Sequence, residues 1–216
     1  MTKPSSENPK RFYKQAAIDK IDGGWTVVLD GRSIKTPARL PLTLPAERLA
    51  KAIAAEWNSQ EEYIDLAAMH LTRLANVAID RVEDARDDMA DELARYCETD
   101  LICHIAETPD ELAGAEESHW APVRDWAGDT LGVNLAFGLD AFRLTGLLYA
   151  AGLFGSALLA LAVEQEAMNA EDAFEVSRID EAWQADQWGE DDEAKAATEA
   201  RRLEAKALGV WFRALG

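Results

Sequence analysis

LTGLLYAAGLFGSALLALAV, Leu144 to Val163, is a run of twenty residues without a charge, and its reading decides the fold. Twenty apolar residues are long enough to cross a hydrocarbon core of roughly 30 Å. The flanks argue against a span. Arg143 precedes the run, Glu164 and Glu166 follow it, and neither side carries the Lys/Arg cluster that orients a membrane helix. Gly146, Gly152, Gly155, Thr145 and Ser156 dilute its hydrophobicity. Ala151 with Gly155, and Gly152 with Ser156, form small-xxx-small pairs that let neighbouring backbones approach closely. The run therefore reads as one central helix, apolar all round because it is buried all round. The chain after residue 66 is arranged to surround it.

Composition agrees. The 216 residues are 48% hydrophobic, enough for a sizeable core. Forty acidic residues against 22 basic give a formal net charge of −18. Such a field repels nucleic acid and anionic membrane surfaces and favours basic partners. MTKPSSENPK holds no apolar segment and no Arg-rich amphipathic pattern, so neither a secretory signal nor a transit peptide is expected. Two cysteines in such a chain read as reduced thiols, buried or partly buried.

Outward from the central run, the first 66 residues read as a small β domain with one helix. In GWTVVLDGR, Trp25, Val27 and Leu29 share one side of an extended segment, with Thr26 and Val28 on the other. Asp22-Gly23-Gly24 and Asp30-Gly31 are hairpin turns. Phe12, Lys14, Ala16 and Ile18 alternate on the strand before, and Ser33–Lys35 gives the strand after. Leu40, Leu42 and Leu44 continue the meander between Pro37, Pro41 and Pro45, which forbid long central strands. Beyond Pro45, Leu49, Ile53 and Trp57 make one helical stripe with Glu56 on its flank. Residues 67–216 read as an all-α domain of six or seven helices. They include a helix broken or kinked near Pro122 and a helix capped by Asn169. The fold class is α+β, an N-terminal antiparallel β domain followed by a larger helical one.

Catalytic constellations are scarce. No glycine-rich phosphate loop precedes a GK[ST] triplet, and no nucleophile elbow surrounds Ser33, Ser156 or Ser177. Cys97, Cys103 and His104 form the best metal candidate, the core of an alternative reading as a metal-dependent hydrolase. A six-residue step on a helix turns the two cysteines roughly 120° apart, so they diverge. No metal, cofactor or catalytic residue is expected, and the acidic runs match no calcium loop.

The most informative stretch is SRIDEAWQADQWGE, Ser177–Glu190. On a continuous helix from Ala170, Val176, Ile179 and Trp183 make a core stripe. Phe174, Arg178, Glu181, Ala185 and Trp188 fall nearly opposite. Either Arg178 and Glu181 pair internally, or Glu181 faces a partner's basic group, because a buried charge needs a partner.

These segments together resemble a known family, the ATP synthase assembly chaperones that bind the alpha subunit of the catalytic sector. RFYKQA, GWTVVLDGRSIKTPARLPLTLP, AIAAEWNSQ, MHLTRLANVAID, YCETDLICHIAETPDEL and WAPVRDWA are similar to its successive blocks. SRIDEAWQADQWGE resembles the late block, in which Glu181 falls on a glutamate associated with chaperone activity. Between Asn134 and Phe142 the chain is shorter than the family pattern. The resemblance implies a non-enzymatic chaperone, cytoplasmic in bacteria or in the mitochondrial matrix. Its partner is the alpha subunit, whose apolar assembly surface it shields until the beta subunit joins. Glu181 and Arg178 are the candidate recognition pair, with Trp183 and Trp188 as anchors, since aromatic residues and arginine dominate interface hot spots.

Overall fold

The computed structural model describes residues 8–130, 140–189 and 191–216; most of the Asn134–Phe142 segment, expected to be short, lies outside them. Contacts divide the chain into two units, Met1–Asp84 with Arg213–Gly216, and Ala85–Phe212.

The first unit is built on strands β1 (Ala16–Ile21), β2 (Gly24–Leu29) and β3 (Arg32–Ser33), antiparallel in the order β1-β2-β3. The first residue of β2, which pairs with Ile21 across the Asp22-Gly23 turn, needs to be glycine. A Cβ on Gly24 would stand 2.3 Å from the Leu44 carbonyl oxygen, because the Leu44 backbone closes on Trp25 through two hydrogen bonds of 2.9 and 2.8 Å. The 40–44 segment thus extends the sheet by isolated bridges, Trp25 to Leu44 and Lys35 to Pro41, as its prolines dictate. Thr26, Val27, Val28 and Leu29 are all buried, so β2 is covered on both faces instead of alternating.

Helix α1 (Glu47–Asn58) packs on β1 and β2 through Leu49, Ala50, Ile53 and Ala54. Burial of side chains the size of Leu49 and Ile53 contributes about 1.5–3 kcal/mol each. Its last residue fixes the helix to the sheet edge. Asn58 Oδ1 accepts the Ala16 N–H and its Nδ2 donates to the Ala16 carbonyl, both at 2.8 Å. Glu56, read from sequence as a flank residue, has a larger task. Helix α2 (His70–Asp80) has no side-chain cap of its own. The Glu56 carboxylate accepts the Leu71 and Thr72 N–H groups, each at 2.9 Å, and the Thr72 hydroxyl at 2.6 Å. The carboxylate sits where the helix dipole favours negative charge.

In the second unit the central run is not one helix. Helix α5 (Ala141–Phe154) starts on Asp140, which accepts the Phe142 and Arg143 N–H groups, and stops at Gly155, left-handed at φ 67°. Ser156 then caps α6 (Ala157–Glu164) by accepting the Leu159 N–H at 3.0 Å. Asp100, 1% exposed, holds the same corner: one oxygen accepts the Ile102 N–H at 3.3 Å and the other the Leu158 N–H at 3.0 Å. The expectation of burial holds for both pieces, in which Leu144, Leu147, Ala150, Phe154, Leu159 and Ala160 are inaccessible or nearly so. Among the described residues, no helix is long and apolar enough to cross a membrane.

Around this hairpin lie α3 (Val82–Glu98), α4 (Asp110–Thr130), α7 (Ala170–Val176), α8 (Ile179–Trp188) and α9 (Asp192–Leu215). The break expected near Pro122 does not occur, and α4 runs through it, held by buried Trp120 and Val123 on either side. The division of the central run and a break at Ser177–Arg178 bring the helices after residue 66 to eight among the described residues. That second break also reassigns faces. Phe174 is the core residue, 1% exposed, while Val176, Ile179 and Trp183 are only half-buried.

Candidate functional site

Within the second unit an open cleft of about 570 Å³ has Leu112, Trp120 and Phe154 among its apolar lining. Its polar lining includes Glu116, Arg178, Asp180, Glu181 and Arg201. The floor is fixed from below: Trp120 donates its indole N–H to the Val176 carbonyl at 2.9 Å, tying α4 to the end of α7. Glu116 is 3% exposed and accepts the Ala106 N–H at 2.7 Å, so its charge serves the loop before α4.

Arg178 and Glu181 come together at this cleft. The Arg178 guanidinium lies 3.6 Å from a Glu181 oxygen and donates to the Thr198 hydroxyl at 3.2 Å. It stands 5.5 Å from the centre of the Phe174 ring, which Arg202 also approaches at 5.6 Å. Arg178 is therefore anchored, its side chain 20% exposed, whereas Glu181 is 52% exposed and touches Arg178 by one long contact. An ion pair so open to water contributes at most about 1 kcal/mol. Of the two alternatives posed by the sequence, the internal pair forms, and Glu181 remains half-exposed beside it.

Trp183 and Trp188 do not line the cleft. They meet each other edge-to-face at 5.9 Å, and Trp188 is 75% exposed. Helix α8 buries none of its residues. Its sequence carries Asp180, Glu181 and Asp186 and no basic residue. The four candidate residues thus form two adjoining pairs, one charged at the cleft mouth and one aromatic on the helix surface. Arg201 and Glu116 escaped the sequence reading. Both belong to charged helical runs in which no periodicity distinguishes a cleft residue from a solvated one.

Cys97 and Cys103 are exposed, against the expectation of burial. Partial desolvation, reinforced by the Asp100 carboxylate, pushes both thiols above their usual pKa, which disfavours the nucleophilic thiolate. Among the described residues no group of three or more His, Cys, Asp or Glu side chains is placed to hold a metal. The hydrolase alternative finds no support in this geometry.

The sequence pattern of the ATP12 chaperone protein family matches residues 10–128, more than half of the chain. The chain belongs to this family. It is similar to the mitochondrial Atp12 protein of Schizosaccharomyces pombe, 29% identical over 149 residues, covering 63% of this chain and 51% of that protein. It thus spans about half the length of that curated relative. The crystal structure of Atp12 from Paracoccus denitrificans is 38% identical, with a TM-score of 0.86 over 96% of this chain and 99% of that one. A solved protein of Agrobacterium tumefaciens is 32% identical, with a TM-score of 0.90 over 96% and 87% of the two chains. The small antiparallel sheet followed by helices described for this chain matches the fold of the Paracoccus Atp12 structure.

Proposed function

We propose that the chain is an assembly chaperone for ATP synthase, and that its client is the unassembled alpha subunit of the catalytic sector. It holds the client's apolar assembly surface until the beta subunit replaces it, without catalysis and without a cofactor. The observation that carries this reading is the surface of α8. A tryptophan pair, Trp188 exposed and Trp183 half-buried, lies on the same short helix as a half-exposed carboxylate that an anchored arginine only partly satisfies. Aromatic anchors beside a polar rim suit an interface that must form and later release. Membership of the ATP12 chaperone protein family supports the same reading. The helical part, residues 67–216, carries the client, and the acidic balance directs it to protein partners instead of nucleic acid. The compartment is the one where the catalytic sector assembles, the cytoplasm of a bacterium or the mitochondrial matrix.

Glu181→Lys tests it. The substitution sets a second cation beside Arg178 on an exposed turn, so the fold survives while recognition reverses sign. Co-expressed alpha subunit should lose co-purification and solubility with the variant and keep both with the wild type. Undiminished capture by a folded variant removes Glu181 from recognition, and failure of the wild type to capture alpha removes the client assignment.

A further inference from the structure

The charge of this chain is segregated. Residues 85–216 hold ten basic and 28 acidic residues, which accounts for the whole net −18, whereas residues 10–39 hold seven basic and three acidic. The basic stretch is the sheet of the first unit, and a pocket of about 610 Å³ opens there. One wall is aromatic. Phe12, 74% exposed, meets Tyr13 edge-on at 5.4 Å, and Tyr13 meets Trp57 at 5.6 Å. Tyr13 is held rigid by donating its hydroxyl to the Trp57 carbonyl at 2.6 Å and by Arg11 over its ring at 4.6 Å. The lining also carries Arg32 and Lys35, both exposed and neither with an ion-pair partner among the described residues. Asp30 also lines the pocket and keeps its negative charge, but it forms no ion pair with Arg32 or Lys35 among the described residues, and its carboxylate accepts the Lys14 and Gln15 N–H groups at 3.0 Å. Those bonds hold its pKa below the usual carboxylate value.

An exposed phenylalanine on a rigid aromatic wall is surface that water solvates poorly. Two unpaired cations against the one Asp30 carboxylate give the same pocket a net positive lining. We propose that this pocket is a second docking site, distinct from the α8 surface, that takes an acidic segment of a partner protein. A carboxylate of that segment meets Arg32 and Lys35, and an adjacent apolar or aromatic side chain lies against Phe12, Tyr13 and Trp57. Arginine matches a carboxylate through its planar donors, and lysine adds a point charge. Nucleic acid would also seek cations, but the net charge of the whole chain repels a polyanion of extended charge far more than a short acidic peptide.

The test uses the full chain and two fluorescein-labelled synthetic peptides, Glu-Asp-Trp-Glu-Asp and its uncharged counterpart Gln-Asn-Trp-Gln-Asn. Fluorescence anisotropy should give saturable binding of the acidic peptide and at least tenfold weaker binding of the amide one. Arg32→Glu with Lys35→Glu should weaken the acidic peptide at least tenfold with unchanged circular dichroism and melting. Glu181→Lys should leave its affinity unchanged, which separates this site from the client surface. Equal affinity for both peptides, no saturable binding, or equal loss in the Glu181→Lys chain overturns the proposal. So does self-association in analytical ultracentrifugation that the double substitution abolishes, since the occupant would then be a second copy of this chain.

Discussion

Alanine in place of Gly146 should destabilise the protein, although alanine is the better helix former. The residue lies inside α5 against the last turns of α9. A Cβ built there stands 2.7 Å from Trp211 Nε1, 2.8 Å from Trp211 Cδ1 and 2.9 Å from Phe212 Cε1. Carbon contacts are comfortable at about 3.5–4.0 Å, so the new methyl group requires the indole to retreat by roughly 0.7–1 Å. Trp211 has nowhere to go. It is fully buried, stacked on Phe142 at 5.8 Å, and its indole N–H donates to the Phe142 carbonyl at 3.2 Å. Overpacking a well-filled core costs about 1–3 kcal/mol. A buried hydrogen bond stretched or lost adds about 1 kcal/mol. The gain in helix propensity over glycine returns about 1 kcal/mol. The net expectation is a loss of about 1–3 kcal/mol. Gly114 is the internal control, because it lies within α4 with nothing inside 4 Å of its added Cβ. Gly114→Ala should therefore gain up to about 1 kcal/mol. Urea unfolding followed by tryptophan fluorescence should move the two midpoints in opposite directions at unchanged slope. A Gly146→Ala chain as stable as the wild type would show that the α5–α9 contact is looser than these distances require, and would refute the reasoning.

Asp100→Ala strands the buried Ile102 and Leu158 N–H groups and should cost about 2–4 kcal/mol in urea unfolding, with Asp100→Asn recovering part of it. Desolvation raises the Glu56 pKa above its ordinary 4.5 despite hydrogen bonds from Thr72 and Leu71. The folded state therefore holds that proton more tightly than the unfolded chain, and the contribution of this titration is fully present below about pH 4.5 and lost as pH rises through the raised value. The stability difference between wild type and Glu56→Gln, measured from pH 4 to about pH 7, should shift against the wild type with rising pH; a difference independent of pH contradicts it. Trp188→Ala removes a side chain that is 75% exposed, so melting should change by no more than about 2 °C while alpha-subunit capture falls. Unchanged capture would take Trp188 out of the interface.

The β hairpin was legible because its signals are local: Gly23-Gly24 and Asp30-Gly31 dictate the turns whatever packs on them. The helical character of the later chain was legible for the same reason. What a single strand of text hides is which neighbour completes a residue. Glu56 looks like a flank charge until α2 arrives without a cap, and Asp100 looks solvated until the α6 N-terminus is placed against it. The faces of residues 170–188 were misassigned, at Phe174 and Val176 as well as beyond Ser177, because stripes drawn on one helical wheel presume one axis, and the helix breaks at Ser177–Arg178. The pairing of Arg178 with Glu181 was readable from i, i+3 spacing, since that spacing survives at the start of α8. The cleft itself was not, because Glu116 and Arg201 approach it from helices remote in sequence.

The corner at Gly155 and Ser156 also sets the length of the two apolar helices it separates. Fourteen residues of α5 and eight of α6 make rods of about 21 and 12 Å at 1.5 Å per residue. Neither reaches across a hydrocarbon layer of about 30 Å, although the unbroken run would. A left-handed glycine followed by a capping serine thus sets two helix stops within an otherwise greasy ribbon. Those two residues hold each helix short of a membrane span while leaving both pieces apolar enough to fill a core.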